Sequence, residues 1–285
     1  MGQRGRHTLG GIHGPRRCAG NGVGQCRRRL LQANVRSRGR RRRLKGPSLP
    51  RRVVAETLGT ALLLVAVVGS GIAAQRLSPG DPGLELFESA VATGCALAVI
   101  ILALGPVSGG HLNPVVSLVD AALGGLTRRE LVAYVSAQLA GAGIGVVVAN
   151  LMFALAPVTI SGKVRFGLGL WIGEVVATFG LLLVIFGVAR SGRSAVVPFA
   201  VGAYITGAYF FTSSASFANP AVTVARTLSN TFAGISPGSV APFIGAELLG
   251  GALSYLAIRF LHPDAREIAD VVVVPKLPVV EKGGS

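Results

Sequence analysis

The chain of 285 residues is 51% hydrophobic and only 14% charged, too little charge to clothe a soluble surface of that size. Its formal charge of +16 suggests a nucleic-acid partner until the charge is located: residues 1–52 carry 16 of the 28 Lys and Arg and no Asp or Glu. The other 233 residues carry 12 basic and 12 acidic groups, a net of zero, so an arginine-rich tail precedes a neutral apolar body of membrane type.

The tail, residues 1–52, includes Arg27 to Arg29 and Arg40 to Arg43 and has no apolar core of the kind a secretory signal needs. It is expected to be disordered. Near anionic headgroups it would be held by about 1 kcal/mol per basic residue. It has no aromatic residue for stacking on bases, so no specific nucleic-acid partner is expected. Its composition, unlike the rest, favours translation starting nearer Val53. Cys18, Cys26 and Cys95 form neither a disulfide framework nor a zinc spacing.

Beyond Arg52 no charge occurs from Ser89 to Val119, from Leu131 to Gly162, or from Ser194 to Ala225, runs of 31, 32 and 32 residues. A spanning helix needs about 20 apolar residues. Full spans are predicted at 53–74, 86–105, 131–153, 170–189, 195–212 and 240–260. Two leftovers, His111 to Leu123 and Phe217 to Leu228, each contain an Asn-Pro pair, residues favoured at a helix N-cap and first turn. They are too short to cross and read as re-entrant half-helices, which are tolerated at membrane depth only inside protein or beside a watery cavity. The chain thus divides into a tail at 1–52, a membrane body at 53–262 with repeats at about 53–153 and 170–262, and a cytoplasmic C-terminal tail at 263–285.

Orientation follows from the short loops. Arg128 and Arg129, and Arg190 and Arg193, share the side of the basic tail, while the first outer loop carries Asp81, Glu85 and Glu88 against Arg76. Both termini are therefore expected in the cytoplasm of a multi-pass protein of the cell membrane, with Lys163 and Arg165 as a minor exception.

The body repeats itself. Glu56-x-x-x-Thr60 corresponds to Glu174-x-x-x-Thr178 at an offset of 118, and Asn113-Pro114-Val115-Val116 to Asn219-Pro220-Ala221-Val222 at an offset of 106. Three spans per repeat put the second copy in inverted topology, with the half-helices entering from opposite faces and meeting N-terminus to N-terminus near the midplane. Asn113 and Asn219 would cap those ends through their side-chain oxygens and keep their amide NH2 groups as donors to a passing oxygen. The unwound segments Gly109 to Leu112 and Ser214 to Ala218 would present carbonyl acceptors. Such a site suits neutral polar molecules and opposes cations and protons. Glu56 and Glu174, costly inside spans unless partnered, are expected to accept hydrogen bonds from the re-entrant N–H groups, with proton coupling as the alternative.

Ser108-Gly109-Gly110-His111-Leu112-Asn113-Pro114-Val115 and Phe217-Ala218-Asn219-Pro220-Ala221, set in a 3+3 repeat, resemble the major intrinsic protein family, the aquaporins and aquaglyceroporins. The resemblance covers roughly 53–260 and implies an all-α fold of six spans and two half-helices, assembled as a homotetramer with a pore in each subunit. The family places an arginine three residues after the second Asn; here that position is Val222. Arg226 lies four residues further, about 6 Å along the half-helix, and its favoured reading is a cytoplasmic or interhelical salt-bridge partner. By family spacing the remaining filter positions fall at Thr93, Gly207 and Ser216, all small, which implies a wide, weakly cationic constriction. The glycerol-channel aspartate is replaced by Thr223. The pattern is similar to that of bacterial members associated with arsenous acid.

The expected function is a passive channel for small uncharged solutes such as glycerol, arsenous acid and water. A water-selective channel and an ion-coupled secondary transporter are the alternatives. His111 reads as a packed loop residue with no second metal ligand at ligand spacing, and Gly141 and Gly145 as a seam for close helix approach. No cofactor is expected, and no catalytic residue set or phosphate loop suggests an enzyme. The expected partners are the bilayer, further copies of the chain, and the solutes.

Overall fold

The computed structural model describes residues 46–261. Expectations for the basic tail before residue 46, with Cys18 and Cys26, and for the segment 263–285 lie outside these residues. Among the described residues the secondary structure is entirely helical. The elements are α1 Leu49–Leu77, α2 Pro82–Ser108, the short α3 Pro114–Leu123, α4 Arg128–Met152, α5 Leu168–Arg190, α6 Val197–Phe211, the short α7 Pro220–Ala225 and α8 Pro237–Leu261. Single 3-10 turns precede α6 and follow α7. Six of these helices, α6 taken together with the 3-10 turn before it, are long and apolar enough to cross a membrane.

Local sequence explains where they start and stop. Asp81 caps α2 by accepting from the Leu84 N–H at 3.0 Å, with Pro82 in the first turn. Thr127 and Glu130 cap α4 reciprocally, each side chain accepting from the other's backbone. Gly109 and Gly124 end α2 and α3 in the left-handed conformation that glycine adopts without a Cβ clash.

Helix α1 begins four residues before the expected boundary, and Arg52, assigned by composition to the tail, is built into the body. Its Nη1 lies 2.6 Å from Glu130 Oε1 and its Nε donates to the Tyr134 hydroxyl at 2.7 Å, while that hydroxyl donates to the Ser108 carbonyl at 2.7 Å. The start of α1, the end of α2 and the start of α4 are thereby joined at one end of the bundle. At the other end Arg76 Nη2 donates to the Phe153 carbonyl at 2.7 Å, and Gln75 Oε1 accepts from the Phe232 N–H at 3.2 Å.

Each repeat is held by a helix pair at close range. Helix α4 packs on α1 where Gly141 meets the Thr57 carbonyl and Gly145 the Ala61 carbonyl; α8 packs on α5 where Gly250 meets the Val175 carbonyl. A Cβ at any of these would run into backbone. In a bilayer, where lipid tails are as apolar as leucine, such contact is what holds helices together. Across the repeats α2 packs on α6, with Gly94 and Gly202 each against the other's carbonyl.

Candidate functional site

The half-helices α3 and α7 carry the site. Asn113 Oδ1 accepts from the Val115 N–H at 2.9 Å, and Asn219 Oδ1 from the Ala221 and Val222 N–H groups at 3.0 and 3.4 Å, the capping expected from the Asn-Pro pairs. The amide groups are partly committed. Asn113 Nδ2 donates to the Ala218 carbonyl at 2.7 Å, and Asn219 Nδ2 donates to the Leu112 carbonyl at 2.8 Å. Each asparagine therefore binds the residue just before the other, and one N–H of each NH2 remains for the cavity.

That exchange needs carbonyls turned inward. Leu112 and Ala218 occupy the left-handed region, with φ of 52° and 48°, at a cost of roughly 1–2 kcal/mol per non-glycine residue. Ala215 and Ser216 share this conformation at φ of 59° and 48°. Strain of this kind persists only where the surroundings over-determine it. Here the embedded carboxylates do so. Glu56 accepts from Ser108 Oγ at 2.6 Å, the His111 N–H at 3.0 Å, the Leu112 N–H at 2.8 Å and Gln138 Nε2 at 2.8 Å. Glu174 accepts from the Phe217 and Ala218 N–H groups at 2.9 and 2.7 Å. Both are fully buried.

A third embedded glutamate was not anticipated. Glu247 on α8 accepts from the Asn219 N–H at 3.2 Å and from the Thr223 hydroxyl at 2.6 Å. It is the second-half counterpart of Gln138, which donates to Ser117 Oγ at 3.0 Å. The signal was present as Gln138-x-x-Gly141 and Glu247-x-x-Gly250, the same pattern 109 residues apart. His111 is buried, with its Nδ1 2.9 Å from Ser117 Oγ and its ring edge-on to Tyr134 at 5.2 Å.

A narrow cavity of about 60 Å³ runs past these groups. His111, Asn113, Asn219 and the 216–218 segment line it, together with Leu63, Val67, Leu97, Leu181, Val201 and Ile205 among others. Pro114, Val115, Pro220 and Ala221 do not line it; they start the half-helices, with Val115 against Gly251 of α8.

Of the expected filter residues, Thr93, Ser216 and Val222 line the cavity and Gly207 does not. The α6 residues that line it are Val201, Ile205 and Tyr209, spaced by four. Gly207 lies two residues from Ile205 and Tyr209, about 200° around the helix, and an added Cβ there would face Phe211. The spacing count misses because it crosses a loop, whose length no helical period governs. Arg226 departs from its favoured reading as well. It lines the cavity, forms no ion pair among the described residues, and places its guanidinium carbon 3.6 Å from the centre of the Phe217 ring. The wall is therefore more aromatic and more cationic than four small residues imply.

The sequence model of the family described as major intrinsic protein matches residues 43–255. The chain belongs to the major intrinsic protein family. It is 53% identical over 220 residues to the aquaglyceroporin AqpS of Rhizobium meliloti, covering 77% of this chain and 94% of that protein. It is 34% identical over 225 residues to the aquaporin NIP1-1 of Zea mays, covering 76% and 78%. Among solved structures, the aquaglyceroporin from Plasmodium falciparum aligns with a TM-score of 0.56 at 22% identity, over 76% of this chain and 99% of that one, a likeness of fold. As a major intrinsic protein the chain is a multi-pass membrane protein, and its half-helices, capping asparagines and embedded glutamates follow the inverted repeat.

Proposed function

We propose that this major intrinsic protein is a passive channel for small uncharged hydroxylated solutes, glycerol and arsenous acid among them, and for water. The observation that carries this reading is the mixed lining: Asn113, Asn219, Thr93, His111 and Ser216 share the cavity with branched apolar residues, and among the described residues no Asp, Glu or Lys lines it. A triol can lay its hydrocarbon edge on the apolar residues while its hydroxyls exchange hydrogen bonds with the polar ones. A cation would lose its hydration there with no carboxylate in reach. Glu56 and Glu174 spend both oxygens on loop and side-chain donors, Glu247 accepts at one oxygen, and among the described residues none of the three lines the cavity, which supports transport without ion coupling.

In this reading Asn113 and Asn219 are the central donors, Thr93, Ser216 and Val222 shape the passage, and nothing is converted chemically. Each subunit of a homotetramer holds one pore. In the same reading the side carrying Arg52, Arg128, Arg129, Arg190 and Arg193 faces the cytoplasm of a plasma membrane, with both termini on that side by the positive-inside rule.

The test is stopped-flow light scattering on proteoliposomes, following shrinkage in an impermeant osmolyte and re-swelling in glycerol, with empty liposomes as control. Fast re-swelling insensitive to proton and sodium gradients is expected, and arsenous acid uptake is assayed next. Shrinkage without re-swelling identifies a water-selective channel instead.

A further inference from the structure

Three cations meet at the end of the bundle where α7 points. Arg226 donates from Nε to the Ala233 carbonyl. Arg165, from the loop between α4 and α5, donates from Nε to the Gly234 carbonyl at 3.0 Å and from Nη2 to the Phe232 carbonyl at 3.3 Å. Lys163 Nζ donates to the same Phe232 carbonyl at 3.0 Å. Three consecutive carbonyls thus hold three cations. Carbonyl dipoles orient a charge without cancelling it. Of the carboxylates of this half, Glu174 accepts from the Phe217 and Ala218 N–H groups and Glu247 from the Asn219 N–H and the Thr223 hydroxyl, and neither forms an ion pair with the three cations among the described residues.

Phe217 gathers the two arginines. Arg226 stands 3.6 Å and Arg165 5.1 Å from its ring centre, and Phe217 and Arg226 both line the cavity. Val222 and Arg226 are one helical turn apart and line the same passage. Among the described residues the Arg226 side chain has the single bond from Nε, which leaves its terminal N–H groups to the cavity. A guanidinium keeps its charge at any working pH and offers fixed donors.

We propose that Arg226, reinforced by Arg165, is the charge barrier and hydroxyl-binding group of this pore, displaced one turn outward from Val222. The inference rests on the neutral-solute reading above. A fixed positive charge in a low-dielectric passage repels hydronium and alkali cations, while its free N–H groups donate to a solute's hydroxyl oxygens. The pore can then be free of arginine beside Asn219, and so wider there, without becoming a proton leak.

The test reconstitutes the full chain as wild type, Arg226→Gln, Arg226→Lys and Arg165→Gln. Two fluxes are read: glycerol and water by light scattering, and protons by an entrapped pH dye under an imposed potassium diffusion potential. Wild type is expected to pass glycerol with proton flux no higher than empty liposomes. Arg226→Gln raises proton flux tenfold or more, and Arg165→Gln does so by a smaller factor. Arg226→Lys restores proton exclusion but alters the glycerol-to-water ratio, because the planar donor fork is gone. Should the Gln variant not purify as a monodisperse species, Arg226→Met, whose stem still packs on Phe217, carries the same readout. A monodisperse, water-conducting Gln or Met variant as proton-tight as wild type overturns the proposal. A wild type that passes water and no glycerol overturns the neutral-solute reading, while the proton comparison still decides the role of Arg226.

Discussion

Tyr209 donates its hydroxyl hydrogen to Thr93 Oγ1 at 3.2 Å, tying α6 to α2 across the junction of the two repeats. Both residues line the cavity, so this one bond fixes a stretch of its wall. Tyr209→Ala is expected to enlarge the passage and raise the flux of polyols longer than glycerol several-fold over wild type. Gly207→Ala, on the opposite face of α6, is expected to leave the glycerol flux within twofold. Stopped-flow measurements on both variants check this, and a large effect at Gly207 with none at Tyr209 would restore the filter expected from sequence spacing.

The embedded glutamates should respond differently to the same change. All four donors to Glu56 converge on its two oxygens, so Glu56→Gln turns an NH2 against donors and strands buried N–H groups at roughly 1–3 kcal/mol each. Glu247 accepts only at Oε1, and its buried Oε2 has no hydrogen-bond partner. Glu247→Gln keeps the used oxygen and should cost less than about 1 kcal/mol. Thermal midpoints in detergent are expected to fall by many degrees for the first and only slightly for the second.

The glycine seams give a steric prediction. At Gly141 or Gly250 an added side chain meets the backbone carbonyl of a neighbouring helix, whereas at Gly143 it meets nothing within 4 Å. Gly141→Val and Gly250→Val should therefore cost at least the ~1–3 kcal/mol of an overpacked core and abolish recovery of monodisperse protein. Gly143→Val should purify normally. Size-exclusion profiles after extraction measure the difference.

One pH effect follows from the loop between α4 and α5. Lys163 is exposed overall, but its ammonium is crowded over the Phe232 ring at 4.7 Å. Burial of the ammonium, then the neighbouring Arg165 and Arg226, pull its pKa from 10.5 down to about 8, against an opposing pull from Glu85. Between pH 8 and 10.5 the folded state binds fewer protons here than the unfolded state, so this residue makes stability rise with pH across that window; below it the charged ammonium opposes folding. Wild type is expected to gain thermal midpoint relative to Lys163→Gln between pH 8 and 10. An identical pH slope in the two proteins would place the effect elsewhere.

Much of this was legible in the sequence because membranes impose simple arithmetic. Charge-free runs longer than one span, each holding an Asn-Pro pair, leave few arrangements for the excess residues, and the six spans and two half-helices follow. Glu56 and Glu174 were legible because an isolated acid in a span needs a partner. What stayed hidden depends on which side of a helix faces the pore. Tyr209 reads as one of several aromatics until α6 is phased by Val201 and Ile205. Arg226 resembles a stray charge until the 232–234 carbonyls and Phe217 are placed around it. Arg52 looked like the last residue of a basic tail, since composition cannot show that Glu130 and Tyr134 lie 78 and 82 residues away in sequence but within hydrogen-bond reach.

The exchange between Asn113 and Asn219 also bears on how the protein is made. Once α1 to α4 are inserted, the first loop has all it needs to seat on Glu56, yet the Leu112 carbonyl lacks its donor until Asn219, 107 residues further along, arrives. Each half is thus complete in its anchors and incomplete at its centre. Carrying both halves on one chain lets these two cross-repeat bonds close at intramolecular effective concentration rather than by chance encounter in the bilayer.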